Sequence, residues 1–92
     1  MATVVITLKI MPESPEVDLN KIEADARKKI IDFAGEGDMK VSQEPIAFGL
    51  KALKMIFVMD EAKGSTEALE DRIKDIEGVQ SVEVIDVRRT IG

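Results

Sequence analysis

The chain has 92 residues, 45% of them hydrophobic and 34% charged, a length that builds one hydrophobic core and not two. A formal net charge of -5 disfavours direct nucleic-acid binding, because neutralising phosphates takes a dense basic surface. With no cysteine and no histidine, the chain has no disulfide, thiolate nucleophile, zinc site of the usual nitrogen and sulfur kind, or imidazole base.

The start, Met1-Ala2-Thr3-Val4-Val5-Ile6 with Lys9 close behind, has neither the layout of a signal peptide nor the run of about twenty apolar residues that spans a bilayer. A cytoplasmic protein with no membrane partner is expected. Val4, Ile6, Leu8 and Ile10 alternate with Val5, Thr7 and Lys9, which predicts a strand with one face in the core, ending near Met11-Pro12. Pro12 and Pro15 remove backbone donors and bias their predecessors away from helix, so a connector follows.

From Asp18, a predicted N-cap, the spacing of Leu19, Ile22, Ala26, Ile30 and Phe33 places them on one face of a helix. Glu23 with Arg27, and Asp25 with Lys29, are acidic-then-basic pairs four apart on its outer side. Gly35 and Gly37 end it. Met39 to Glu44 is a short predicted strand and Ala52 to Asp60 a strong one, apolar on both parities. Ser65 or Thr66 caps a second helix with Leu69, Ile73 and Ile76 in its buried stripe, a Glu70–Lys74 pair outside and Gly78 at its end. Val79 to Thr90 is the last strand, and the adjacent apolar Val84 and Ile85 suggest a bulge.

The order strand, helix, strand, strand, helix, strand predicts an α+β fold, a ferredoxin-like split βαβ sandwich with two helices on one face of a four-stranded antiparallel sheet. No linker divides it, so residues 1–92 are expected to form a single domain. Such a fold hosts many functions, so the site must decide. Neither glycine-rich phosphate-binding signature is present, and any nucleotide connection is expected to run through another protein. Asp60-Glu61 offers oxygen ligands for a hard cation, but a solvated strand end accounts for it better. Ser65 and Thr66 have no base to activate them and are explained as caps.

Lys51, Lys54, Arg88 and Arg89 are the cations that could converge from two neighbouring strands, but composition favours the plainer reading of an ordinary edge or exposed sheet face whose charges discourage aggregation. Arg27-Lys28-Lys29 reads as a solvated helix face. Phe48 is one of three aromatic residues and sits between Pro45 and Gly49 in a connection. There it is either an exposed anchor for a partner's pocket or a plug folded over one end of the sheet.

The stretch Pro45-Ile46-Ala47-Phe48-Gly49-Leu50-Lys51-Ala52-Leu53 resembles the central motif of the elongation factor 1-beta family of guanine-nucleotide exchange domains. Val5 to Leu19 and Val79 to Arg89 are similar to its archaeal branch, so the resemblance covers nearly the whole chain. It implies a ferredoxin-like exchange factor that releases GDP from the GTPase elongation factor 1-alpha in translation elongation, with no covalent chemistry and no cofactor of its own. The resemblance further implies that Phe48 inserts into that partner. Aligning Val79-Gln80-Ser81 puts Arg89 where the eukaryotic branch has the lysine that disturbs the magnesium and phosphate site. The residues expected to meet the partner are Pro45, Phe48, Gly49, Lys51, Arg88 and Arg89, on a chain expected to act as a monomer. The rival readings are an RNA-binding sheet of the RRM kind, for which Phe57 is the one aromatic in a strongly predicted strand, and a small-ligand or dimerisation domain.

Overall fold

The computed structural model describes residues 3–90; Met1-Ala2, which open the amino-terminal reading, and Ile91-Gly92 lie outside the described residues. The elements are β1 (Thr3–Pro12), α1 (Leu19–Ala34), β2 (Met39–Pro45), β3 (Lys51–Asp60), α2 (Glu67–Lys74) and β4 (Val79–Thr90). The strands form one antiparallel sheet in the order β2-β3-β1-β4, which is the expected ferredoxin-like arrangement.

Alternation along the strands sorts the two faces. Val4, Ile6, Leu8 and Ile10 of β1 lie opposite Met59, Phe57, Met55 and Leu53 of β3, and these pairs face the helices. They meet Ile22, Ala26 and Ile30 of α1 and Leu69 and Ile73 of α2 in one core. Each large side chain fully buried there contributes about 1.5–3 kcal/mol. The other face of the sheet, carrying Val5, Lys9, Lys54, Ile56 and Val58, is left without helices.

The predicted bulge is present. Thr7 pairs with Asp86 but Leu8 pairs with Val84, so Ile85 is the extra residue of β4. That insertion returns Val87 to the helix face, opposite Ile6, after two successive residues on the open side.

Asp18 caps α1, its Oδ1 accepting from the Asn20 amide at 3.0 Å. Glu23 and Arg27 close at 3.1 Å, and the Gly35 amide ends the helix on the Ile31 carbonyl. The second helix departs from the sequence reading. It stops at Lys74, and Ile76 joins the core from the following turn rather than from the helical stripe. Glu70 pairs not with Lys74 but with Thr66, whose Oγ1 donates to it at 2.9 Å, while Ser65 Oγ accepts from the Glu67 amide. The first turn supplies Glu70 with a nearer partner than the last. Gly78, beyond the helix, has φ 94, and a Cβ there would lie 2.8 Å from Cγ1 of Val17. Its carbonyl accepts from the Glu13 amide at 2.9 Å, tying the 13–18 connection to the start of β4. Among the described residues no helix is long and apolar enough to cross a membrane.

Candidate partner-binding site

The connection between β2 and β3 is a tight hairpin. The Ile46 amide donates to the Leu50 carbonyl at 2.7 Å, and within that closure the Leu50 amide donates to the Ala47 carbonyl at 3.3 Å. Phe48 has φ 62 and ψ 30 and Gly49 has φ 77. Positive φ at both central residues is the pattern of a type I′ turn, whose twist matches that of the strands it joins. Gly49 takes this conformation freely, but a side chain with a Cβ does so at a cost of about 1–2 kcal/mol.

The phenylalanine is therefore held where its backbone is strained, and its side chain recovers nothing for it: Phe48 is 94% exposed. Of the two sequence readings, plug and anchor, the plug is thereby excluded. Beside the turn lies a cleft of about 400 Å³ lined by residues including Pro12, Ser14, Pro15, Gln43, Gly49 and Lys51. The sequence marked Gly49 and Lys51 there but missed the wall made by the first connection. Pro12 and Pro15, read only as turn chemistry, were its signal. Among the described residues Lys51 has no carboxylate within salt-bridge distance, so its charge is uncompensated.

Lys51, Lys54, Arg88 and Arg89 do not converge, because β1 lies between β3 and β4. Arg88 pairs with Val5, which pairs with Val58, seven residues along β3 from Lys51. At about 3.3 Å per residue the two sites stand roughly 23 Å apart. Arg88 and Arg89 also diverge from each other, since consecutive strand residues point to opposite faces. Lys54 pairs with Glu44 at 3.2 Å, Arg88 with Asp86 at 3.0 Å, and Arg89 with Glu61 at 2.7 Å. The last of these pairs accounts for Glu61, and Asp60 Oδ1 accepts from the Ala62 amide at 2.9 Å, so both carboxylates of the candidate cation pair have partners within the chain.

The candidate residues thus fall at two ends of the sheet. Pro45, Phe48, Gly49 and Lys51 cluster at one; Arg88 and Arg89 lie at the other, where a cleft of about 290 Å³ on the helix face has walls that include Val4, Met59, Glu61 and Val87. The rival RNA-binding reading needs an aromatic displayed on the sheet, but Phe57 is 2% exposed in the core. On the open face Val58 and Ile85 are exposed, but the Lys54–Glu44 and Arg88–Asp86 pairs interrupt the apolar surface.

Comparison with known proteins decides among the functions such a surface can serve. The model of the EF-1 guanine nucleotide exchange domain matches residues 5–90. The chain belongs to the elongation factor 1-beta family. It is 47% identical over 89 residues to elongation factor 1-beta of Methanothermobacter thermautotrophicus, covering 97% of this chain and 98% of that protein. It is 44% identical over 90 residues to the protein of the same name in Methanobrevibacter smithii, with 97% and 98% covered. To that of Methanocaldococcus jannaschii it is 39% identical over 90 residues, with 95% and 97% covered. The elongation factor 1-beta family acts in translation elongation by exchanging guanine nucleotide on elongation factor 1-alpha, and this chain is accordingly an exchange factor and not an enzyme.

Proposed function

We propose that the chain releases GDP from elongation factor 1-alpha by gripping it at two separated points, with Phe48 as the apolar anchor and Arg89 as the cationic contact. The observation that carries this reading is the 94% exposure of Phe48 on a left-handed backbone. An aromatic ring on a rigid turn adds contact area with little ordering cost on binding. Pro45 and Gly49 shape the turn, and Lys51 supplies a charge beside it. Arg88 and Arg89, about 23 Å away, meet a different part of the same partner.

Exchange follows from linkage. A protein that binds the nucleotide-free or distorted GTPase more tightly than the GDP-bound form weakens GDP by the same factor. A guanidinium brought to the phosphates can take over charge that the GTPase's bound cation otherwise neutralises. The chain works here as a monomeric cytoplasmic domain spanning residues 1–92, with no nucleic-acid or membrane contact of its own. The test is release of labelled GDP from elongation factor 1-alpha: acceleration that saturates with the added chain is expected, and none at saturation rejects the reading.

A further inference from the structure

Arg89 leaves the end of β4 opposite Val4, and its side chain is 66% exposed. A long cationic side chain in that position samples many rotamers, and ordering it at the moment of binding weakens the contact it makes. Here an ion pair restricts it. Its Nη2 donates to Oε2 of Glu61 at 2.7 Å and lies 2.7 Å from Oε1, across 28 residues of sequence.

The backbone of Glu61 in turn has little freedom to move. It follows β3 directly, and β3 is paired with β1 up to Asp60 opposite Thr3. The Ala62 amide is held by Asp60 Oδ1 at 2.9 Å, and the Glu61 carbonyl accepts from the Gly64 amide at 3.1 Å. The carboxylate is thus mounted on a closed turn of the β3–α2 connection. Among the described residues only one guanidinium nitrogen is engaged, which leaves Nε and Nη1 to donate to an incoming carboxylate or phosphate. The pair is too exposed to matter much to folding.

We propose that Glu61 is a positioning residue for exchange: it holds the guanidinium of Arg89 in the orientation that meets an anionic group of the GTPase–nucleotide complex. This rests on the reading that Arg89 touches that complex. Glu61 itself makes no contact with the partner and acts through Arg89 alone.

A double-mutant cycle tests it with the full chain. Release of labelled GDP from elongation factor 1-alpha is followed over a range of concentrations of the wild type, Glu61→Gln, Arg89→Ala and the double variant. Glu61→Gln keeps the side chain's shape and removes its charge. It is expected to slow maximal release about two- to fivefold, the range of an exposed or half-exposed ion pair, with an unchanged melting temperature. In the Arg89→Ala background the same substitution is expected to change nothing.

A Glu61→Gln variant as fast as wild type or faster overturns the proposal. So does an equal slowing in both backgrounds, which makes Glu61 a contact or a structural residue in its own right. Arg89→Ala exchanging like wild type removes both Arg89 and Glu61 from the mechanism while leaving the exchange reading intact. A wild-type chain without activity rejects that reading itself.

Discussion

At one end of the sheet Phe48 stands 94% exposed on a left-handed backbone; at the other, Arg89 leaves an ordinary strand and is tied to Glu61 at 2.7 Å. In the first case the main chain holds the side chain in place, through a hairpin closed by the Ile46–Leu50 and Leu50–Ala47 hydrogen bonds. In the second a single ion pair does so. An apolar ring offers no polar group by which a neighbour could orient it, so its direction has to be built into the backbone. A guanidinium can be steered by a carboxylate and needs no special backbone. The contribution of the Phe48 ring should therefore be indifferent to salt and sensitive to backbone substitutions, and that of the Arg89 guanidinium the reverse.

The largest effect is expected where the backbone support itself is removed. Gly78→Ala forces a Cβ to within 2.8 Å of Val17 at φ 94 and disturbs the connection whose Pro15 borders Gly49. Left-handed strain and overpacking together give a loss of about 3 kcal/mol in denaturant unfolding. Hydrogen-exchange protection should fall first around residues 13–18 and the Phe48 turn, with Arg89 and its strand end retained. Uniform loss of protection would make the two ends one cooperative unit.

Phe48→Ala comes next. Loss of a central aromatic anchor costs about 2 kcal/mol or more of binding, which is roughly thirtyfold in the efficiency of GDP release. Because the ring is exposed, the melting temperature should hardly move. Activity retained within twofold would remove Phe48 from the contact.

The fold was legible in the sequence because its signals are local and repeated. Period two in Val4 to Ile10, helical spacing from Leu19 to Phe33, and the paired Val84 and Ile85 each announced a feature the structure contains. Phe48 stood out for the same reason, as an aromatic where a connection should be. The separation of the cations follows from the fold and from no local signal: the ferredoxin-like order puts β1 between β3 and β4, so Lys51 and Arg88 stand on strands that are not neighbours. The Arg89–Glu61 pair escaped likewise, since nothing local links residues 28 apart. Glu70 was misassigned by a local rule: spacing of four favours Lys74, but Thr66 stands equally far in the other direction and presents a hydroxyl.

Arg89→Ala should slow GDP release about tenfold, the value of one charge-assisted hydrogen bond, and should flatten the dependence of the rate on salt. Phe48→Ala should leave that dependence intact. If the two substitutions changed the salt dependence alike, the division into a backbone-held apolar end and a charge-held polar end would fail.

The smallest effect has the opposite sign and bears on why Phe48 is where it is. Asparagine adopts the left-handed region more readily than other residues with a Cβ and suits the central positions of type I′ turns. Since the Phe48 ring gives up nothing by leaving solvent-exposed surface, Phe48→Asn should relieve backbone strain and stabilise the chain by about 1 kcal/mol. For a domain of this size that raises the melting temperature by about 4–8 °C. Exchange should fall as far as in Phe48→Ala, which keeps a Cβ in the same strained conformation and gains no such stability. A stabilised but weakened Asn variant beside a merely weakened Ala variant would show that the strain at position 48 exists to hold an aromatic ring there. An Asn variant no more stable than the wild type would show that the hairpin carries the ring without strain, and the contrast with Arg89 would then rest on charge alone.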